Sequence, residues 1–440
     1  MSTSTFGGAR RVPQPVNDPN KSYAPGSPER AELKARLKTM AAETLDIPLV
    51  IGGKEIRTGK TAKSVMPHNH KHVLANYHLA GPEHIQQAII AAAEARKEWG
   101  RWSLEDRAAV MLRAAELLAT TWRQTMNAAT MLGQSKTAFQ AEIDASSEMI
   151  DFWRFNTSFA QELYSEQPIS GPGVWNQMEY RPLEGFVYAI TPFNFTAIAG
   201  NLTTAPALMG NSVIWKPASS AVLSGYYIMK LLEEAGMPPG VINFIPGDSR
   251  QITDTLLDSP ELAGVHFTGS TAVFNAMWQK IGGNIGRYKG YPRLVGETGG
   301  KDFIVVHPSA DPVAAAVAIV RGGFEYQGQK CSAASRVYVP QSLWNEVRDC
   351  TVEMMKQFKV GDVADFRNFM GAVIDEKAFT KISEYLADAK KKRENPVGRR
   401  RQKRRGLFHR TDLHRDQRPK LPPAVRGDFR AGGDRLRLSG

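Results

Sequence analysis

From about residue 180 to residue 306, short apolar runs alternate with longer segments of helical spacing, and this alternation constrains the fold more than any other feature of the chain. "YRPLEGFVYAITPFNFT" reads as a strand running into a turn marked by proline. "NLTTAPALMGNSVIWKPAS" reads as a helix followed by a strand, and "SAVLSGYYIMKLLEEAGMPPG" as a helix closed by Gly and Pro. "VINFIPG", "GVHFTGS", "PRLVGETGG" and "KDFIVVHP" supply further strands, with "TAVFNAMWQKIGG" as a helix among them. Strand and helix in succession predict an α/β fold, a Rossmann-like parallel sheet with helices on its faces. Ligands of such sheets lie at the carboxyl ends of the strands, so the turns that follow them are where function is sought. The portion before this region reads as mostly helical, through "ERAELKARLKTM", "PEHIQQAIIAAAEARKEWG", the stretch from Leu104 to Gly133, and that from Ala138 to Leu163.

A chain of 440 residues, 42% of them hydrophobic, can bury a large core and is expected to form two or three domains. Its two cysteines, Cys331 and Cys350, cannot build a disulfide framework, which favours a reducing compartment. No apolar run reaches membrane-spanning length. The opening "MSTSTFGGARRV" is rich in Ser and Thr and lacks acids, as organellar leaders do, but is short and not clearly amphipathic. A cytoplasmic location is expected, with the mitochondrial matrix as the alternative.

The net charge of +12 is confined to one segment. Of the 56 Lys and Arg and 44 Asp and Glu, residues 391–440 hold 17 and 5, which leaves 39 of each in the rest. This tail, containing "GRRRQKRRG", shows no helical or strand period, and reads as a disordered basic arm or as a clamp for nucleic acid or anionic membrane.

The turns after the strands carry chemistry. In "FTGSTAV" the backbone N–H groups near Gly269 and Ser270 open a helix and could receive a phosphate, although a Gly-Ser turn also serves as an ordinary cap and no G-x-G-x-x-G fingerprint is present. Lys216, ending the strand in "IWKPAS", could meet a ribose hydroxyl or a phosphate, or simply extend into solvent. Asn194 in "TPFNF" could act as an oxyanion donor or bond its own turn. Glu297 in "GETGGK" stands before two glycines that permit close backbone approach. Cys331 in "EYQGQKCSAAS" is either a small buried hydrophobe or a nucleophile displayed on a tight turn.

Taken together, "PFNF", "WKPAS", "FTGS", "ETGGK" and, 34 residues beyond Glu297, "GQKCSA" resemble the aldehyde dehydrogenase superfamily in motif, order and spacing. "KSYAPGSPER", "PFNFTAIAGNLTTAPALMGN" and "FEYQGQKCSAASRVYVP" are similar to its 1-pyrroline-5-carboxylate dehydrogenase branch, and the resemblance runs to about Ala389. It implies oxidation of glutamate γ-semialdehyde to glutamate, a step of proline catabolism. By the same resemblance Cys331 attacks the aldehyde carbon, and Asn194 with the Cys331 N–H holds the thiohemiacetal oxyanion. Glu297 then activates the water that cleaves the thioester. Gly328 permits the sharp turn beside the nucleophile, and the small residues Ser332 and Ala333 leave room for substrate and cofactor. Thr191, Lys216, Gly269, Ser270, Thr271, Ala272 and Val273 are expected to line the cofactor, with Phe274 where other branches have glycine. NAD is the expected cofactor; Ser219, where many members carry an acid, makes NADP the alternative. A small aldehyde is the expected partner, with neither nucleic acid, membrane nor metal. The implied domains are an arm over 1–40, a cofactor domain over 41–163 and 182–296, an oligomerisation hairpin over 164–181, part of a catalytic domain over 297–390, and the tail over 391–440.

The tail has a reading of its own. Back-translated and moved one nucleotide forward, "LFHRTD" permits Tyr-Phe-Ile-Glu-Pro-Thr, and "RGDFRAG" permits Glu-Glu-Ile-Phe-Gly-Pro-Val, which are segments the family has next and in that order. A frameshift near Lys390 to Lys392, with a disordered and truncated carboxyl end, is therefore expected, and with it weak turnover, aggregation and compromised family oligomerisation. Nucleic-acid binding through the tail is the alternative from another class.

Overall fold

The computed structural model describes residues 10–392, 413–416 and 435–438. It divides into two compact units. The first takes residues 1–66, 72–134 and 138–298; the second takes 67–71, 135–137 and 299–440. The expected division did not separate 67–71 and 135–137 from their neighbours.

In the first unit, five strands run parallel in the spatial order Arg293–Glu297, Leu262–Thr268, Phe186–Ile190, Ser212–Lys216, Ile242–Phe244. In the last four of these strands the Val, Ile and aromatic residues other than Ile190 are buried on both faces, as a sheet covered by helices requires, whereas Val295 of the edge strand is exposed. One core pools Tyr188, Ile214, Ile245 and Phe267 from the sheet with Ile85, Ala88 and Ile252 from the helices Pro82–Trp99 and Ser249–Leu257.

The amino-terminal portion is less helical than its sequence pattern suggests. Leu49–Ile51 and Lys54–Ile56 form an antiparallel hairpin that extends the large sheet, and Leu45–Ile47, Thr61–Met66 and Asn69–His78 are also strands. The hairpin turns on Gly52 (φ 60°) and Gly53 (φ 76°), two left-handed residues in a two-residue loop. The predicted helix over 104–133 is two helices, Leu104–Ala119 and Arg123–Gln134, broken at Thr120, whose hydroxyl donates back to the Glu116 carbonyl at 2.7 Å.

Residues 166–183 hold no strand, in contrast to the expected β-hairpin. The segment folds back through side chains: Met178 N donates to Gln167 Oε1 at 2.7 Å and Asn176 Nδ2 to the Ile169 carbonyl at 2.9 Å. Pro168 and Pro172 have no N–H for a ladder, and a lone two-stranded ribbon has little to stabilise it.

The arm before the first helix is pinned by a buried charge cluster. Arg123 donates to Asp18 Oδ2 at 2.6 Å, to Ser147 Oγ at 3.1 Å and to both carboxylate oxygens of Glu142. Glu142 opens a six-residue π-helical turn and also accepts from Tyr23 Oη, Lys21 N and Asn127 Nδ2. Burial, followed by the Glu142 carboxylate, pushes the Tyr23 phenol well above its ordinary pKa. For Arg123, burial favours the neutral form, but the two carboxylates outweigh it and hold the guanidinium charged. Replacing Arg123 by methionine would strand the buried Glu142 carboxylate and leave Asp18 with Arg154 alone. The expected loss is about 3–5 kcal/mol, read as a thermal midpoint lowered by several degrees.

In the second unit, Phe303–Val305 lies parallel to Arg336–Tyr338, and the helices Pro312–Phe324 and Trp344–Lys356 pack around Val306, Phe324, Val337 and Trp344. Two short strands fall within the basic tail: Arg435–Leu438 pairs antiparallel with Arg336–Tyr338 and with Leu413–Asp416. At these positions the expectation of disorder is corrected; "RLRL" has the apolar–polar alternation of a strand. The other residues from 393 onward, where the shifted frame was expected, lie outside the described ones.

Candidate active site

In the first unit the parallel register sets four motif turns along one edge of the sheet. Glu297 pairs with Thr268, Ile190 with Phe267, and Ile190 with Lys216, so the residues that follow these strand ends leave from neighbouring points at the carboxyl edge.

The turn after Ile190 is anchored at its start. Thr191 is buried; its N–H donates to the Lys216 carbonyl at 3.4 Å, and its hydroxyl accepts from the Trp215 indole at 2.9 Å. Asn194 is 8% exposed and comes two residues before the helix Thr196–Leu208.

Lys216 is 6% exposed. Burial lowers its pKa to about 8, with Asp248 opposing the shift. A strand-end lysine held this far from solvent is not the solvated residue of the plainer reading. Thr268 is also buried, and its hydroxyl has no hydrogen-bond partner among the described residues. It had no sequence signal beyond its place before Gly269.

Beyond Thr268, Gly269 N donates to the Glu297 carbonyl at 3.1 Å, which ties two of the turns together. Ser270 caps the helix Thr271–Gly283, its hydroxyl accepting from Val273 N at 3.4 Å. Thr271, Ala272 and Val273 form the exposed first turn. The Phe274 ring stacks on Phe267, with centroids 5.3 Å apart, and occupies the space that a Cβ at residue 296 would need, so Gly296 is required there. Glu297 ends its strand exposed. A buried orphan hydroxyl, a buried lysine and a capped helix N-terminus along one edge fit a ligand bearing hydroxyls and phosphates, as a dinucleotide does.

The second unit carries Cys331 and Ser332. Neither cysteine of the chain is in a disulfide. Cys331 is half-buried and Ser332 exposed, in the link between the helical segment ending at Gly328 and the strand Arg336–Tyr338. Three successive residues before it are left-handed: Tyr326 (φ 52°), Gln327 (φ 56°) and Gly328 (φ 70°). Only the glycine adopts that conformation without cost, so the other two must be held by their surroundings. Tyr326 is fully buried with the Lys136 ammonium 4.4 Å from its ring centre. Gln327 Nε2 donates to the Ala372 carbonyl at 2.6 Å, and Ala372 N donates to Ser135 Oγ at 2.8 Å.

Downstream, Ala334 N donates to the Gly322 carbonyl at 2.8 Å and Ser335 N to the Asp302 carbonyl at 3.0 Å. A Cβ at residue 300 would fall 2.5 Å from the Cys331 carbonyl oxygen, so the second glycine of "ETGGK" is a packing requirement of the cysteine loop. A cavity of about 440 Å³ opens beside Cys331, with Gly299, Lys301, Lys330, Arg336 and Tyr385 among its walls. The sequence signalled Gly328 in this turn but neither Tyr326, Gln327 nor Lys136.

Comparison with known proteins agrees with this arrangement. The sequence model of the aldehyde dehydrogenase family matches residues 55–421, which carries the match past Ala389, where the resemblance was expected to stop. A Schizosaccharomyces pombe protein named probable delta-1-pyrroline-5-carboxylate dehydrogenase is 50% identical over 385 residues, 86% of this chain and 70% of that one. A mouse protein named delta-1-pyrroline-5-carboxylate dehydrogenase, mitochondrial, is 48% identical over 376 residues, 85% of this chain and 67% of that one.

Among solved structures, the Mycobacterium tuberculosis delta-pyrroline-5-carboxylate dehydrogenase bound with NAD superposes with a TM-score of 0.90 at 50% identity, over 92% of this chain and 76% of that one. The Thermus 1-pyrroline-5-carboxylate dehydrogenase with bound NAD gives 0.86 at 30% identity, over 91% and 78%. With its motif turns on one sheet edge, its cysteine on a constrained loop and half its residues shared with such relatives, the chain belongs to the aldehyde dehydrogenase family.

Proposed function

We propose that the chain oxidises L-glutamate γ-semialdehyde, the open form of 1-pyrroline-5-carboxylate, to L-glutamate with NAD. The observation that carries this reading is the identity of about one half with proteins named for that activity, over most of this chain. Cys331, as the thiolate, forms a bond from sulfur to the aldehyde carbon, and the carbonyl oxygen becomes an oxyanion. The Asn194 side-chain amide and the Cys331 N–H donate to that oxyanion. Bound NAD would supply the acceptor for the hydride that leaves the carbon. Glu297 takes a proton from water as the water oxygen bonds to the thioester carbon, the carbon–sulfur bond breaks, and the acid leaves.

On this reading Lys216 holds the adenosine ribose, and Thr191 with residues 269–273 shapes the rest of the cofactor groove. Incubating the chain with NAD and glutamate semialdehyde should leave an acyl adduct on Cys331, visible by intact-mass spectrometry. A stronger adduct with an aldehyde lacking the α-amino acid group would assign a different substrate.

The folded-state pKa of Lys216 lies near 8, below the ordinary 10.5. The folded chain therefore binds fewer protons than the unfolded one between those values, and the lysine makes stability rise with pH across that window. Below pH 8 both states are protonated and the fold carries the full cost of a buried cation. Lys216→Met should raise the thermal midpoint near pH 7, flatten the pH dependence from 8 to 10.5, and weaken NAD binding in a calorimetric titration.

We place the protein in a reducing compartment, the cytoplasm first; relatives named mitochondrial support the matrix as the alternative. Among the described residues no helix is long and apolar enough to cross a membrane. Self-association through the 166–183 segment is part of the proposal, supported by Ile169 and Trp175, which are 92% and 85% exposed.

A further inference from the structure

We propose that Gln134 is a positioning residue for Asn194, fixing the turn that presents the oxyanion donor; this rests on the role given to Asn194 above. The helix Thr196–Leu208 begins without the usual help, because its N-cap is Phe195, which offers no side-chain oxygen to the first N–H groups. Pro192, on the other side of Asn194, has no N–H. A turn so placed needs to be held from elsewhere.

Gln134, 1% exposed and the last residue of the helix Arg123–Gln134, supplies the hold on both sides of Asn194. Its Nε2 donates to the Phe193 carbonyl, one residue before Asn194. Its Oε1 accepts from Thr196 Oγ1 at 2.9 Å, two residues after. One amide thus spans the turn, and its orientation is fixed, since only the NH₂ end can face a carbonyl and only the oxygen can face a donating hydroxyl.

Thr196 has spent its single proton on Gln134, so the 2.7 Å contact with Thr130 Oγ1 has Thr130 as donor. Thr130 lies one helical turn before Gln134 on the same helix, and the two brace the turn as a pair. The next polar residue on that face, Asn127, accepts from Ser146 at 2.6 Å and donates to Tyr23 Oη at 2.8 Å. The rigid stripe that ends at Gln134 is therefore rooted in the same cluster that holds the amino-terminal arm.

Two measurements on the full chain test the assignment. In the first, hydrogen exchange of the peptide spanning Thr191 to Ile198 is compared between the parent and Gln134→Leu, with the Ser212–Lys216 strand as internal reference. Faster exchange confined to the turn is expected; unchanged exchange there overturns the brace, and faster exchange in both means general loosening and overturns it too.

In the second, 4-nitrophenyl acetate acylates Cys331 through an oxyanion, whereas iodoacetamide alkylates it without one. Gln134→Leu should slow acylation on the order of tenfold or more while alkylation keeps the parent rate. Thr196→Ser, which keeps the hydroxyl, should acylate like the parent. Gln134→Leu added to Asn194→Ala should slow acylation no further than Asn194→Ala alone; independent, multiplying losses overturn the proposal. Parent-like acylation by Asn194→Ala sinks the oxyanion role itself, and with it the catalytic meaning of the brace, whatever the exchange result.

Discussion

Replacing Cys331 by serine removes the covalent step: no acyl adduct forms with an aldehyde and NAD, and any steady-state oxidation falls on the order of 10³-fold or more. The two side chains differ by one atom, so the loop that carries residue 331 is unchanged in shape. What changes is the population of a usable nucleophile, since a thiol ionises within reach of neutral pH and a serine hydroxyl does not unless a base is set against it. The bonds that hold the loop, from Gln327 to Ala372 and from Ala334 to Gly322, do not touch Sγ. Unfolding should therefore move little while chemistry is lost. A serine variant that still turned over near the parent rate would remove Cys331 from the reaction and the proposed mechanism with it.

Glu297→Gln should act at the other end of the cycle. The amide keeps the size of the carboxylate but cannot take a proton from water, so the thioester forms and then persists. Hydrolysis is expected to slow by about 10²–10⁴-fold, with the Cys331 adduct rising toward one per chain in intact-mass spectra. The direction of that change is diagnostic. Loss of the nucleophile abolishes the adduct, loss of the base accumulates it, and a side chain that merely supports the strand end does neither. The main-chain bond from Gly269 N to the Glu297 carbonyl is retained in the variant, so the sheet edge keeps its geometry. If the glutamine variant showed neither slower turnover nor more adduct, another group would have to activate the water.

Much of the first unit was legible because its signals are local. Strand, turn and helix in "FTGSTAV" and "TPFNFTAIAG" announce themselves through apolar runs and turn residues, and the parallel order then follows from their alternation. The hairpin at Leu49–Ile56 was also legible, in two consecutive glycines after the apolar run Leu49–Ile51, and the helical reading of the amino-terminal portion passed over it. Other features leave no local trace. Tyr326 and Gln327 are left-handed and are held by Lys136 and by Ala372, itself bonded to Ser135, and nothing in "EYQGQ" distinguishes them from residues of an ordinary helix end. Gln134 sits 60 residues from the turn it spans. The 166–183 segment carried the Gly and Pro of a hairpin, but the same prolines deprive it of the backbone donors that a ladder would use.

The salt link between Asp18 and Arg123 bears on where the chain could be cut during maturation. Asp18 is a counter-ion for a helix more than a hundred residues away, and Asn17 and Asp18 N both bond Asp151. A leader peptidase acting between Arg10 and Asn17 would remove the Arg10–Asp106 pair at the surface and leave the buried cluster whole, whereas one acting after Asp18 would leave Arg123 facing Glu142 with half of its counter-charge gone. A cleavage that keeps this buried cluster whole falls upstream of Asn17.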